Sequence, residues 1–90
     1  MTTPMQKIQE KVAAGIITEA EGRYETLYTL AYFNTLKDDQ RNGQALMNAL
    51  RKIDAELYVK ITGTPADCFY QDTLIPAFNT YVRNAWGLTP

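Results

Sequence analysis

The sequence contains no histidine and a single cysteine, Cys68, in 90 residues. Because zinc in proteins is usually held by cysteine and histidine, these two shortages disfavour a zinc site. Serine and cysteine nucleophiles are usually activated by a histidine base, so the common catalytic triads are disfavoured as well. One cysteine excludes a disulfide within the chain and is typical of a reducing compartment. We therefore expect a cytoplasmic protein that has no cofactor, no metal and no routine catalytic centre.

An excess of charge of one sign is missing too. The chain has nine Lys and Arg against ten Asp and Glu, which gives a formal net charge of -1. Domains that bind nucleic acid usually carry a basic face that displaces counterions from phosphates, so nucleic acid is disfavoured as a partner. Apolar runs of about 18 residues are absent, and the N-terminus has no apolar segment of signal-peptide length. We expect no contact with a membrane.

The remaining composition is that of a folded domain, with 46% hydrophobic residues. The length fits one hydrophobic core, which predicts a single domain over residues 1–90. A chain this short buries only about 60 to 65% of the surface that it exposes when unfolded. Because self-association would add burial, we expect a homo-oligomer.

Apolar residues recur at helical spacing, which predicts an all-α bundle made of a short N-terminal helix and three longer helices. Pro4 follows two threonines that can cap a helix, so the first helix should cover about Pro4 to Ala14, and Gly15 should end it. Thr18 and Glu21 have the spacing of a capping box. The second helix is therefore expected to run from Thr18 to about Leu36.

The polar stretch 37–43 must contain the next turn, but its residues leave the boundary open. Either aspartate of Asp38-Asp39 can cap the following helix, or Asn42-Gly43 can form the turn instead. Beyond it, five apolar residues recur every three or four positions and predict one continuous helix that ends at Gly63. These residues are Leu46, Leu50, Ile53, Leu57 and Ile61.

The last helix is predicted to begin at Thr64-Pro65 and to be kinked or broken near Pro76, whose ring cannot continue the helical ladder. Cys68 would then lie in the first helical turn, where the helix dipole lowers the pKa of a thiol. The alternative, which we favour, is that Cys68 is a small buried hydrophobic residue.

Two short stretches resemble known families. Residues 50–54, LRKID, resemble the "LRxxID" opening helix of the all-helical chorismate mutases, which are near this chain length and dimerise to build their active sites. The resemblance implies a mutase-type enzyme in which an arginine of this helix and downstream basic residues bind two substrate carboxylates. The match covers five residues, and only Lys60 and Arg83 follow as basic residues. An amphipathic helix with exposed Arg51 and Lys52 explains the same pattern.

Residues 14–21, AGIITEAE, resemble the turn of the SHOCT module, a short helical unit at the ends of many bacterial proteins. That resemblance implies a connection between two helices and no particular function. The same segment is a poor candidate for a DNA-binding helix-turn-helix, because Glu19, Glu21 and Glu25 would face phosphates.

The aromatic residues carry the clearest functional signal. Tyr24, Tyr28 and Tyr32 stand four residues apart on the second helix, and the last segment holds a second aromatic group. Tyrosine, tryptophan and arginine are enriched where proteins touch. We therefore expect a surface that binds a protein partner or a second copy of the chain. Its candidate residues are Tyr24, Tyr28, Tyr32, Tyr81, Arg83 and Trp86.

Other interpretations stay open. The rings can fill the core instead, or the tyrosines can join Arg23, Arg41 or Arg51 to bind a nucleotide-like or other small anionic ligand at a subunit junction. The leading prediction is a non-enzymatic interaction or regulatory protein that binds or inhibits another macromolecule. Its size is typical of accessory proteins of phages and mobile elements. The ligand binder and the chorismate-mutase-like enzyme are the alternatives.

Overall fold

The computed structural model describes residues 3–88, which form a bundle of α-helices and so confirm the predicted all-α class. A single 3₁₀ turn at Asp72–Leu74 precedes the last helix. No helix within residues 3–88 combines the length and the apolar character that crossing a bilayer requires. The helices are α1 (Pro4–Ala13), α2 (Glu19–Asp38), α3 (Asn42–Ile53), α4 (Ala55–Ile61) and α5 (Ile75–Ala85).

The first two helices both begin at capping boxes. The Thr18 hydroxyl accepts from the Glu21 N–H at 3.1 Å, and the Glu21 carboxylate accepts from the Thr18 N–H at 3.0 Å. This second bond holds the pKa of Glu21 below its usual value. Thr3 and Gln6 make the same pair of bonds at the start of α1. The predicted start of the second helix is confirmed, because Thr18 is the cap residue of α2 and both bonds of the capping box are present.

Helix α1 lies against the beginning of α2 and covers only part of it. The contact is closest at Gly22, where a Cβ would lie 2.6 Å from Cγ2 of Val12 and 3.4 Å from Cγ2 of Ile8. The 10 residues of α1 span about 15 Å, whereas the 20 residues of α2 span about 30 Å. The second half of α2 therefore extends beyond α1.

The predicted continuous helix up to Gly63 is wrong, because the chain leaves the helical conformation at Asp54 (φ -148°, ψ 85°). The Asp54 carboxylate accepts from the Leu57 N–H at 3.1 Å and so begins α4. It also accepts from Nε1–H of Trp86 at 3.0 Å, and this bond is the main reason why the pKa of Asp54 is lowered. A short carboxylate that bonds backbone N–H groups competes with the helical ladder.

The predicted helix that starts at Thr64-Pro65 is also wrong, because residues 62–71 form an irregular loop. The Asp67 carboxylate accepts from the N–H groups of Gly63 at 2.9 Å and of Phe69 at 3.0 Å. The Thr64 hydroxyl accepts from the Ala66 N–H at 3.2 Å. These local bonds satisfy backbone groups that a helix would otherwise use.

Pro76 does not kink a helix, contrary to the prediction. It lies in the first turn of α5, where its missing N–H would have no helical partner in any case. Only the 3₁₀ turn and the loop precede it, so the expected break near residues 73–75 is instead the start of the helix.

The turn between α2 and α3 follows neither of the two predicted arrangements, because neither Asp38 nor Asp39 caps α3 and α3 begins at Asn42. Arg41 occupies the cap position without a side-chain bond, and Asp72 supplies the carboxylate, which accepts from the Gly43 N–H at 2.9 Å. Arg41 donates to the same carboxylate at 3.2 Å and to the carbonyl of Phe69 at 2.7 Å. These bonds join the loop of residues 62–71 and the 3₁₀ turn after it to the start of α3.

Cys68 lies in the loop of residues 62–71 and is fully buried. Its Sγ donates to the Gly43 carbonyl at 3.4 Å, and a Cβ at Gly43 would overlap the carbonyl oxygen of Cys68. Burial raises the pKa of the thiol to about 11, so the group is protonated near neutral pH. The predicted place in a helical turn is wrong, and the favoured interpretation as a buried hydrophobic residue is confirmed.

Candidate interaction surface

The six residues predicted to form a contact surface do not share one environment. Tyr24, Tyr28, Tyr81 and Arg83 are half-buried along α2 and α5, and Trp86 follows α5 with 8% of its surface exposed. Tyr32 is different, because 61% of its surface is exposed. The three equally spaced tyrosines of α2 therefore occupy two environments: Tyr24 and Tyr28 are half-buried, and Tyr32 is exposed.

Two arginine–aromatic pairs join α2 to the end of α5. The guanidinium of Arg83 lies over the Tyr24 ring at 5.2 Å, and that of Arg23 lies over the Trp86 ring at 5.4 Å. Each segment contributes one arginine and one ring, and both contacts have the geometry of a cation–π pair. We call these four residues, Arg23, Tyr24, Arg83 and Trp86, the α2–α5 brace.

The polar atoms around the brace are bonded within the chain. Arg83 donates to the Leu88 carbonyl at 2.8 Å, and the indole N–H of Trp86 donates to Asp54. The Tyr28 hydroxyl donates to Oδ1 of Asn79, and burial raises the pKa of this tyrosine. These bonds favour the interpretation that the rings pack the bundle. A contact role for Tyr24, Tyr28, Tyr81, Arg83 and Trp86 stays a prediction.

An open groove of about 730 Å³ lies beside the brace, where an anionic ligand would be sought. Its charged lining residues are Glu21, Glu25 and Arg83, so two carboxylates face one guanidinium that is already stacked and hydrogen-bonded. The other arginines considered for such a ligand lie elsewhere. Arg41 is held by the Asp72 carboxylate, and Arg51 lines a polar groove between α2 and α3. Nothing in these arrangements favours an anion.

The second half of α2 presents large apolar side chains to solvent. Tyr32 and Leu36 lie one helical turn apart, with 61% and 63% of their surfaces exposed, and Phe33 lies half-buried beside them. The Lys37 ammonium lies 5.8 Å from the centre of the Phe33 ring. We call Tyr32, Phe33 and Leu36 the overhang patch, because they belong to the part of α2 that extends beyond α1.

A cavity of about 330 Å³ opens next to the overhang patch, between α2, the start of α3 and the start of α5. None of its lining residues is charged, and the exposed lining is mainly apolar although four of the seven residues carry a hydroxyl or amide group. Such a hollow is suited to an apolar side chain from a partner. The lining residues are Tyr28, Ala31, Tyr32, Thr35, Asn42, Leu46 and Ile75.

Other exposed apolar side chains are distributed singly. Ile16 lies in the connection between α1 and α2, Val59 on α4 and Tyr70 in the long loop. Single exposed apolar residues are normal on a protein surface. Among residues 3–88, α2 is the element that exposes two large apolar side chains one turn apart.

Tyr32 was among the residues predicted from the sequence to form a contact surface, but Leu36 was not. Leu36 follows Tyr32 by four residues, so the two share a helix face. The signal that could have found it is the length of α1, which is half that of α2 and leaves the end of this face uncovered.

No group of three Asp, Glu or Cys side chains in the described part of the chain is arranged to hold a metal ion. Residues 50–54, on which the chorismate mutase resemblance depends, end α3 and enter the break at Asp54 instead of opening a helix. In comparisons with family models, curated proteins and solved structures, nothing matches this chain.

Proposed function

We propose that the protein is a non-enzymatic interaction domain that binds another macromolecule through the overhang patch. One observation carries the proposal: Tyr32 and Leu36 are more than half exposed, lie one turn apart, and border an uncharged cavity. An exposed leucine side chain gains about 1.5 to 3 kcal/mol when it is fully buried, and 63% of the surface of Leu36 is exposed. The patch is therefore the place where a partner would bury the most apolar surface.

The packing of α2 on the rest of the bundle favours a contact surface that is already formed before binding. A capping box begins the helix, α1 packs on its first half, and buried Leu27 and Ala31 join it to the core. Rigid contact residues lose little conformational entropy on association, so more of the burial energy appears as affinity. Tyrosine is also among the residues that contribute most to protein contacts.

A regulatory or inhibitory role is part of the proposal. A small domain that offers a rigid apolar face acts on a larger protein by covering part of that protein's surface. This mode of action uses burial and shape, and it does not depend on a nucleophile, a base or a bound metal.

Affinity capture from the source cell tests the proposal with three baits: the wild-type protein, Leu36→Glu and Val59→Glu. Val59 is 71% exposed on α4, so its substitution adds the same charge at an exposed apolar residue outside the patch. We expect the wild type and Val59→Glu to retain the same partner, and Leu36→Glu to lose it. Equal capture by all three baits, each checked for folding by circular dichroism, would contradict the proposal.

A further inference from the structure

We propose that a second copy of this chain covers the overhang patch, with the two α2 helices antiparallel across a two-fold axis. The pairing rests on the proposed function because both use the same patch. A two-fold contact places the same patch on both partners, so the patch must supply projecting side chains and the hollow that receives them. Tyr32 and Leu36 project, and the uncharged cavity lies beside them.

The register follows from the position of the two exposed residues. An axis midway between Tyr32 and Leu36 sets Tyr32 of each copy against Leu36 of the other. Residues 30–38 of one helix then lie on residues 38–30 of its partner. The part of α2 that α1 leaves uncovered has the same length in both copies. In this register, the uncovered part of one α2 ends where α1 of the partner begins.

Charge favours the antiparallel direction. A groove between α1 and the middle of α2 is lined by Lys7, Lys11, Tyr28, Thr29 and Glu25, so two lysines face one glutamate. The far end of α2 carries the negative end of the helix dipole and the exposed Asp39. In the stated register, Asp39 of one copy lies over Thr29 of the other, beside Lys7.

The remaining charges at the far end do not reverse this preference. Lys37 is held over the Phe33 ring of its own chain, and Asp38 lines a separate groove on the α3 side together with Arg51 and Lys52. A parallel arrangement would place the two Asp39 residues and the two C-terminal helix ends side by side. Repulsion between like charges therefore disfavours the parallel arrangement.

Sedimentation equilibrium over a series of concentrations is the first test. We expect the wild type and Val59→Glu to approach twice the monomer mass of 10.2 kDa as concentration rises, and Leu36→Glu to stay monomeric. Because Leu36 and Val59 are both exposed, both variants should fold. A wild type that is strictly monomeric at millimolar concentration, or a Leu36→Glu variant that dimerises like the wild type, would overturn the pairing.

The direction of the pairing has its own test. A zero-length crosslinker that joins amines to carboxylates, applied to a mixture of ¹⁵N-labelled and unlabelled chains, should link Lys7 of one copy to Asp39 of another. Within one chain, Thr29 and Asp39 are separated by about 15 Å of helix, so a link inside the chain is not expected. Lys7→Glu and Asp39→Asn should each weaken the dimer by about two- to fivefold. Asparagine tolerates the left-handed backbone at Asp39 (φ 54°), so the second variant adds no strain.

A dimer whose mixed-isotope links join other residues, and whose dissociation constant is unchanged by Lys7→Glu and Asp39→Asn, would overturn the antiparallel register. The capture experiment separates the two proposals. A monomeric wild type that still loses its captured partner on Leu36→Glu would overturn the pairing and leave the interaction domain standing. Equal capture by all baits would remove the binding of another macromolecule at the patch, while a wild-type dimer that Leu36→Glu abolishes would still support the pairing.

Discussion

The two halves of α2 differ in what covers them. In the first half, α1 packs on Gly22, and the brace and Asn79 hold Tyr24 and Tyr28 against α5. In the second half, α3 still covers the core side, but α1 no longer reaches the opposite face, where Tyr32 and Leu36 are exposed. Side chains of the same type, at the same helical spacing, are thus structural in one half and available for contact in the other.

The difference shows that the environment of a helical stripe depends on the lengths of its neighbours. Tyr24, Tyr28 and Tyr32 repeat every four residues, so their faces change only slowly along the helix. What separates Tyr32 from the other two is its position along α2, beyond the end of α1 and beyond the contacts that Arg83 and Asn79 of α5 make with Tyr24 and Tyr28. Substitutions in the two halves of α2 should therefore differ in their effects on stability.

The largest expected effect comes from two leucines on the same helix. Leu27 is fully buried in the covered half, so Leu27→Ala should lower the free energy of unfolding by about 2 to 5 kcal/mol. Leu36→Ala should change it by less than about 0.5 kcal/mol under dilute, monomeric conditions. Urea unfolding followed by circular dichroism measures both. Similar losses for the two variants would mean that the overhang is part of the core.

The next effect concerns the close contact of α1 with α2. Gly22→Ala adds a Cβ that meets Cγ2 of Val12, and moving this side chain should cost about 1 to 3 kcal/mol, more than the roughly 1 kcal/mol gained in helix propensity. Hydrogen exchange should show faster exchange of the α1 amides and unchanged exchange of α3. A variant that is more stable than the wild type would show that α1 is loosely placed.

A smaller effect separates two tyrosine hydroxyls. Tyr28→Phe removes the bond to Asn79 and should cost about 1 kcal/mol, whereas Tyr32→Phe should cost close to nothing. Thermal unfolding of both variants in parallel checks the difference. If the two variants melt together, the Tyr28 bond does not contribute to the covered half.

The smallest effect is a change in pH dependence at the brace. The bond from Trp86 lowers the pKa of Asp54 in the folded state, so the associated stability is present above the unfolded pKa and is lost as pH falls through the folded pKa. Trp86→Phe should therefore flatten the loss of stability below about pH 4. Asp54→Asn should flatten it as well, while Lys52→Gln, an exposed control near Asp54 in sequence, should leave it unchanged.

Local features were predictable from sequence only in part, because the local bonds of Asp67 and Thr64 that keep residues 62–71 out of a helix were missed. The capping box of Thr18 and Glu21 lies within one turn and was found. The break at Asp54 combines a local bond from the Leu57 N–H with a bond from Trp86, which lies 32 residues away and could not be foreseen. The cap of α3 was missed for the same reason, since Asp72 lies 29 residues from Gly43.

The apolar pattern located much of the core without locating the helix ends. Leu46, Leu50, Leu57 and Ile61 are all buried as their spacing indicates, although they belong to two helices. The candidate site was predictable in part: Tyr32 stood out as an aromatic residue, but Leu36 becomes notable only when the length of α1 is known. A stripe shows which residues share a face, and the neighbouring helices decide how far that face is covered.

The most direct test of the contact surface is an amide-resolved NMR titration of labelled protein with an excess of its binding partner, either unlabelled copies of the chain or the captured protein. We predict that the perturbed amides cluster in residues 30–38 and around Ile75, with residues 20–27 unchanged. Perturbations centred on the α2–α5 brace or on α4, with residues 30–38 unchanged, would contradict the account.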